Sequence, residues 1–244
     1  MRNQIPSGPR PKDGAIHLGL VAAFPWEVAS LLRRQRQVER LGDRRYRFLW
    51  KGQPVVLAIA GAGAENAYCA ARALIQDFQL GGLVSVGFAG GLSEALKAGE
   101  VILADEVIEK DTGERFGCQA ALLPIAAVLT GSLLSVSAVV NSAEEKRLLA
   151  ARWAAVAVDM ESGAVARASR EAGLAFGAVK SITDRSSQSM AIDFQRCRSE
   201  HGGLSSWKIV REAMTSPAGL RDLWRLAGNS RRAAGNLALA FAST

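Results

Sequence analysis

The sequence predicts an α/β fold: one domain of three layers, α/β/α, built around a mostly parallel central mixed sheet. Two observations predict it. Short apolar runs of strand length alternate along the chain with longer stretches of helical spacing. That alternation is the mark of parallel strands joined by crossover helices packed on both faces of a sheet. The chain is also long enough, at 244 residues with 49% hydrophobic, to bury one sizeable core.

Residues 1–14 hold three prolines and several polar residues and read as a frayed leader, so the domain is expected over 15–244. Residues 16–22 form an apolar strand, and Pro25 opens a helix over 25–32. Two strands, 46–50 and 55–60, flank Lys51-Gly52-Gln53-Pro54, a hairpin signal. The second runs through Gly61-Ala62-Gly63 into an Ala-rich helix over 65–77. A buried strand over 83–86 ends in the glycine loop Gly87-Phe88-Ala89-Gly90-Gly91, and 101–107 is another strand. Apolar, Ala-rich residues 120–129 predict a helix and 133–140 a strand. Helix follows over 143–153, strand over 154–158, helix over 160–172 with Gly173 as its cap, and strand over 175–182. Residues 194–206 read as loop, and a basic helical tail begins at about 207.

Composition narrows the chemistry. The apolar runs are too short to span a bilayer and the N-terminal stretch lacks a signal peptide's apolar core, so a cytoplasmic protein is expected. Cys69, Cys118 and Cys197 lie far apart and read as reduced thiols, with no metal site and no cofactor. With only two histidines, His17 and His201, carboxylates must carry acid/base work. The net charge of +7 is concentrated between Arg33 and Arg47 and in the tail, in runs that usually form solvated helix faces. Neither run carries the aromatic pattern of a nucleic-acid module, so no nucleic-acid partner is expected.

In open α/β sheets the ligand crevice lies beyond the carboxyl ends of the strands. Glu27 in the loop after the first strand, Glu161 just after Val158 and Asp184 just after Ile182 fall at that edge. Asp159 suits a capping role. Glu161, in a first helical turn, is expected to be kept ionised by the helix dipole and to suit a sugar cis-diol. Asp184, after a buried strand, is expected to be desolvated and protonated, able to donate to a leaving base. The two glycine segments would let backbone amides approach an anion or ribose.

Four blocks stand in the order and spacing of the nucleoside phosphorylase superfamily. They are Ala22-Ala23-Phe24-Pro25-Trp26-Glu27-Val28, Gly87-Phe88-Ala89-Gly90-Gly91-Leu92, Val158-Asp159-Met160-Glu161-Ser162 and Ser181-Ile182-Thr183-Asp184. The chain resembles most the methylthioadenosine/S-adenosylhomocysteine nucleosidase branch and the hopanoid-associated phosphorylases. The resemblance implies cleavage of the N-glycosidic bond of a purine nucleoside of adenosine type, 5′-modified, with a role in hopanoid biosynthesis from the second branch. It makes Asp184 the acid at purine N7 and Glu27 the carboxylate that positions water. It places Glu161 on the ribose hydroxyls, Met160 against the ligand, Val139 and Val140 at the base, and Phe88, Ala89 and Gly90 along the glycine segment. Phe88 replaces a small hydroxyl residue, Val139 an aromatic one, and Arg185-Ser186-Ser187 the usual continuation. These departures bear on the nucleophile and on base stacking, and leave the bond cleaved unchanged.

Hydrolysis and phosphorolysis both stay open, with inorganic phosphate as co-substrate in the second case. A different class of reading is a non-catalytic nucleoside- or lipid-binding module at a membrane surface. The basic tail supports it, since Leu220, Leu223, Trp224 and Leu226 lie among Arg221, Arg225, Arg231 and Arg232 and suit peripheral membrane contact. Against that stands packing of the same apolar stripe on the core. A homodimer or higher homo-oligomer is expected.

Overall fold

The computed structural model describes residues 17–125, 129–191, 197 and 206–242. In chain order the elements are β1 (His17–Ala22), α1 (Pro25–Arg34), β2 (Arg36–Arg40), β3 (Arg45–Trp50), β4 (Gln53–Ile59), α2 (Ala64–Asp77), β5 (Leu80–Gly91) and β6 (Val101–Glu109). There follow β7 (Arg115–Gly117), β8 (Leu129–Ser135), α3 (Ala143–Trp153), β9 (Ala157–Asp159), α4 (Ser162–Glu171), β10 (Ala175–Asp184), α5 (Ser206–Ala213) and α6 (Pro217–Ala242). The leader expected at 1–14 and most of the loop expected at 194–206 lie outside the described residues.

The three layers are visible in the alternation of side chains along the strands. Leu20 and Ala22 of β1, Val55, Leu57 and Ile59 of β4, and Val84 and Val86 of β5 pack under α1 and α6. Their neighbours Val21, Val56, Ala58 and Leu83 face the other way, onto α2 and α4. The central ladders β4–β1–β5–β10 are parallel, as are β6–β8 and β8–β9. Antiparallel pairs join β2–β3–β4 at one edge and β10–β6 and β5–β9 elsewhere, so the sheet is mixed. The path β5–β10–β6–β8–β9 returns to β5, so these five strands close a ring.

The hairpin is as expected: Lys51 (φ 50°) and Gly52 (φ 75°) make a two-residue turn with both residues left-handed, the twist that two-residue hairpins need. Four expectations are corrected. The helix over 120–129 is a single 3₁₀ turn, Ala120–Leu122, because Pro124 cannot continue a helix and Leu123 is drawn into the core; Leu129 already belongs to β8. The strand expected over 133–140 ends at Ser135, and Val136 to Val140 curl over a cavity instead. The glycine segment 87–91 is strand, the continuation of β5 in register with β10 and β9, and not a loop. The Arg-rich stretch is not a helix face: α1 ends at Arg34, and the fully exposed strand β2 pairs only with β3.

The tail is structural. Leu237, Ala238, Ala240 and Phe241 of α6 are buried, and the Trp50 indole donates to the Phe241 carbonyl (2.6 Å). The apolar stripe therefore packs on the core at its C-terminal half. At its N-terminal half Leu223 and Leu226 are partly covered, while Leu220 and Trp224 face solvent.

Candidate active site

Every residue singled out in the sequence as catalytic or substrate-binding lines one cavity of about 230 Å³: Asp184 and Glu27, Glu161 and Met160, Phe88, Ala89 and Gly90, Val139 and Val140. The topology explains the convergence. The parallel strands β1, β5 and β10 run to a common edge, β9 pairs antiparallel with the end of β5 there, and the ends of these strands with the segments after β1, β8 and β9 carry these side chains.

Glu27 is the third residue of α1 rather than a loop residue, and it caps its own helix. Its Oε2 accepts from the Ala23 and Phe24 amides (both 2.9 Å) and its Oε1 from the Phe88 amide (3.1 Å). Gly87, at φ 149°, makes room for it: a Cβ there would lie 2.9 Å from the carboxylate atoms. Burial pushes the Glu27 pKa up, against the opposing pull of Lys180 and the three amides.

Glu161 is the N-cap residue of α4. Its Oε1 accepts from the Gly63 amide (2.7 Å), so the anion held by the 61–63 glycine turn is the protein's own carboxylate. Where the helix dipole was expected to keep Glu161 ionised, burial, then the charge of Asp159, push it up to about 7. Asp159 does cap, receiving the Ser162 amide (3.1 Å) and hydroxyl (2.6 Å), and it also pairs with Lys180 at 2.9 Å. Lys180 is buried, which works against its charge, but Asp159, Glu161 and Glu27 together outweigh burial and hold its pKa above the usual range.

Asp184, the last residue of β10, is buried as expected, and it has a charged partner that the sequence did not point to. Its Oδ2 pairs with the ammonium of Lys146, a fully buried α3 residue whose remaining donors reach the Arg185 carbonyl (2.9 Å) and the Gln188 carbonyl (3.1 Å). The Thr183 hydroxyl donates to Oδ1 at 2.8 Å. Gly90 again makes space, since a Cβ there would stand 3.3 Å from Asp184 Oδ2.

Sequence reasoning missed Lys146, Lys180 and the aromatic pair Phe24 and Trp26, whose rings stack at 4.4 Å in the cavity wall. Lys180 carried a signal, a charge following the apolar run Ala175 to Val179 in mid-strand, which must find a partner when buried. Lys146 carried none, sitting among the charged residues of α3. Cys69, Cys118 and Cys197 do not line the cavity, and burial pushes Cys118 up to about 12, far from a reactive thiolate. Among the described residues no cluster of His, Cys, Asp and Glu could hold a metal ion.

Residues 17–125 and 118–200 match the family described as the Phosphorylase superfamily. This chain belongs to the phosphorylase superfamily. Within it, the chain is 25% identical over 228 residues to the 5′-methylthioadenosine/S-adenosylhomocysteine nucleosidase of Staphylococcus aureus, covering 82% of this chain and 99% of that protein. It is 24% identical to the enzyme of the same name from Shewanella denitrificans, covering 79% and 96%. Among solved structures, the Helicobacter pylori futalosine hydrolase superposes with a TM-score of 0.68 at 16% identity, covering 93% of this chain and 97% of that one. The Colwellia psychrerythraea nucleosidase in complex with adenine superposes at 0.66 with 21% identity, covering 93% and 96%. At these identities the structural likeness establishes the superfamily fold.

Proposed function

We propose that this superfamily member cleaves the N-glycosidic bond of an adenosine-type nucleoside bearing a modified 5′ position, with water as the acceptor. The observation that carries the reading is the placement of Glu27, Glu161 and Asp184 on one cavity, with carboxylates in excess at one end and a carboxylate matched by a lysine at the other. Asp184 enters the reaction protonated and gives that proton to purine N7 as the C1′–N9 electron pair leaves with the base; the carboxylate left behind is the form that pairs with Lys146. Glu161 accepts the ribose hydroxyls, Met160 packs on the ligand, and Val139 and Val140 line the base. Glu27 takes the proton of a water whose oxygen bonds to C1′; burial makes this carboxylate a stronger base than a solvated one. The carboxylates near the sugar favour the oxocarbenium-like charge that develops there.

Hydrolysis is favoured over phosphorolysis because no Arg or Lys is among the described residues lining the cavity, so a phosphate beside C1′ would lack a cation. The reading therefore calls for no phosphate and no cofactor. Purified chain incubated with adenosine, 5′-methylthioadenosine and inosine, with and without phosphate, tests it by free base released. Release without phosphate is expected; release that needs phosphate and yields a sugar 1-phosphate overturns the choice of water, and no release from any nucleoside overturns the enzymatic reading.

The protein is proposed to work in the cytoplasm as a homo-oligomer, and to touch an anionic membrane surface through the start of α6. There Leu220 and Trp224 are exposed beside Arg221, and the one acid of the helix, Asp222, is buried against Arg225. Among the described residues no helix is long and apolar enough to cross a membrane. Because α6 also completes the core, point variants are the test: Leu220→Ala with Trp224→Ala is expected to lose co-sedimentation with anionic vesicles, and unchanged sedimentation rules the surface out. A substrate from hopanoid biosynthesis would suit that location, and base release from a nucleoside with a polycyclic 5′ substituent checks it.

A further inference from the structure

A second cavity, of about 760 Å³, adjoins the first where the chain passes from Asp184 to Arg185. It opens between the start of β6, the segment after β10 and α6. Its wall gathers four cations, Lys97, Arg185, Arg225 and Arg232, against one carboxylate, Glu100, which already accepts the Lys97 amide at 2.7 Å. Arg225 is held by Asp222 (2.8 Å). Among the described residues, Lys97, Arg185 and Arg232 have no ion-pair partner. Like charges brought together around a cleft raise the local concentration of anions.

The frame around these cations is fixed. Asn229 donates to the Thr183 carbonyl and Asn236 to the Gly99 carbonyl, both at 2.7 Å. Gly99 takes φ 93°, and a Cβ there would lie 2.8 Å from Arg232 Cδ, so the arginine stem lies across the glycine. Gln188 apart, the rest of the wall is apolar: Val101 is buried, and Leu129 and Leu239 are exposed. Arginine forks match the oxygens of a phosphate, and the volume and the apolar wall leave room for an organic body.

We propose that this cavity binds a soluble phosphate monoester with an apolar body, at a site separate from the catalytic cavity. The site does not depend on what the first cavity cleaves, so its test reads binding directly. The full chain is titrated by calorimetry with phenyl phosphate at low ionic strength, beside the double variant Lys97→Gln/Arg232→Gln. Both side chains are exposed, so the variant is expected to fold, which circular dichroism checks. Saturable binding is expected, weaker for inorganic phosphate than for phenyl phosphate, and reduced about tenfold or more in the variant. Purine release by the variant is expected to match wild type. Absence of binding, equal binding by the variant, or competition between phenyl phosphate and nucleoside for the catalytic cavity each overturns the proposal. So does binding only to vesicles containing phosphatidic acid, which would make the ligand a lipid headgroup.

Discussion

The two ends of the catalytic cavity use the same ingredients in different proportions. At one end a single buried lysine, Lys180, is shared by Asp159, Glu161 and Glu27. At the other, Lys146 is matched to one carboxylate, Asp184, and two carbonyls. The first end sets three carboxylates against one lysine, and there burial raises the pKa of both Glu27 and Glu161, with the charge of Asp159 adding to the rise at Glu161. The second is balanced. Bond cleavage in the proposed reaction makes the sugar positive and the purine negative, so a surplus of anions suits the first and a cation behind the acid suits the second. At Glu27 and Glu161 burial sets the direction and nearby charges modify it: Lys180 pulls both back, and Asp159 adds to the rise at Glu161.

The sharpest way to break this comparison is at the balanced end. Asp184→Asn keeps the shape but cannot transfer a proton, and single-turnover base release is expected to fall by roughly 10²–10⁴-fold with ligand affinity less affected. A variant that keeps its rate removes Asp184 from the mechanism. Lys146→Met leaves Asp184 without its cation and is expected to lose about 3 kcal/mol of stability in denaturant titration. Combined with Asp184→Asn it should cost less than the two changes added, because they share one interaction; strict additivity would mean the pair is not coupled.

At the surplus end, Glu161→Gln removes one acceptor of the diol clamp, and kcat/KM on ribosides is expected to drop about ten- to hundredfold. With Glu161 pushed up to about 7, wild-type kcat/KM should rise with pH through that value, and the Gln variant should lose that rise. Gly87→Ala, which drives a Cβ against Glu27 at a left-handed φ, is expected to cost about 1–3 kcal/mol in thermal unfolding and to slow turnover.

The smallest effect concerns stability and pH. A carboxyl whose folded pKa lies above its unfolded value of 4.5 adds stability that is complete below 4.5 and lost as pH rises through about 7. Wild type should therefore fall in melting temperature relative to Glu161→Gln between pH 5 and 8. Parallel curves would show that Asp159 and burial do not strain Glu161.

Met160, Val139, Val140, Phe88, Ala89 and Gly90 were placed at the cavity by the family resemblance; the sequence by itself determined the alternation of strands and helices, the hairpin at Lys51-Gly52, and the edge at which Glu27, Glu161 and Asp184 meet. These are local: periodicity, turn chemistry and strand ends depend on near neighbours in the chain. Pro124 was a local signal as well, strong enough to have ruled out the helix at 120–129. Only the tertiary structure decided which cation meets which carboxylate. Lys146 stands 38 residues from Asp184, and the glycine turn that holds Glu161 stands 98 residues from it. It also decided that glycines 87 and 90 make room for the protein's own carboxylates. The pKa of a buried group depends on the charges and amides within a few ångströms of it, and chain-distant segments supply those.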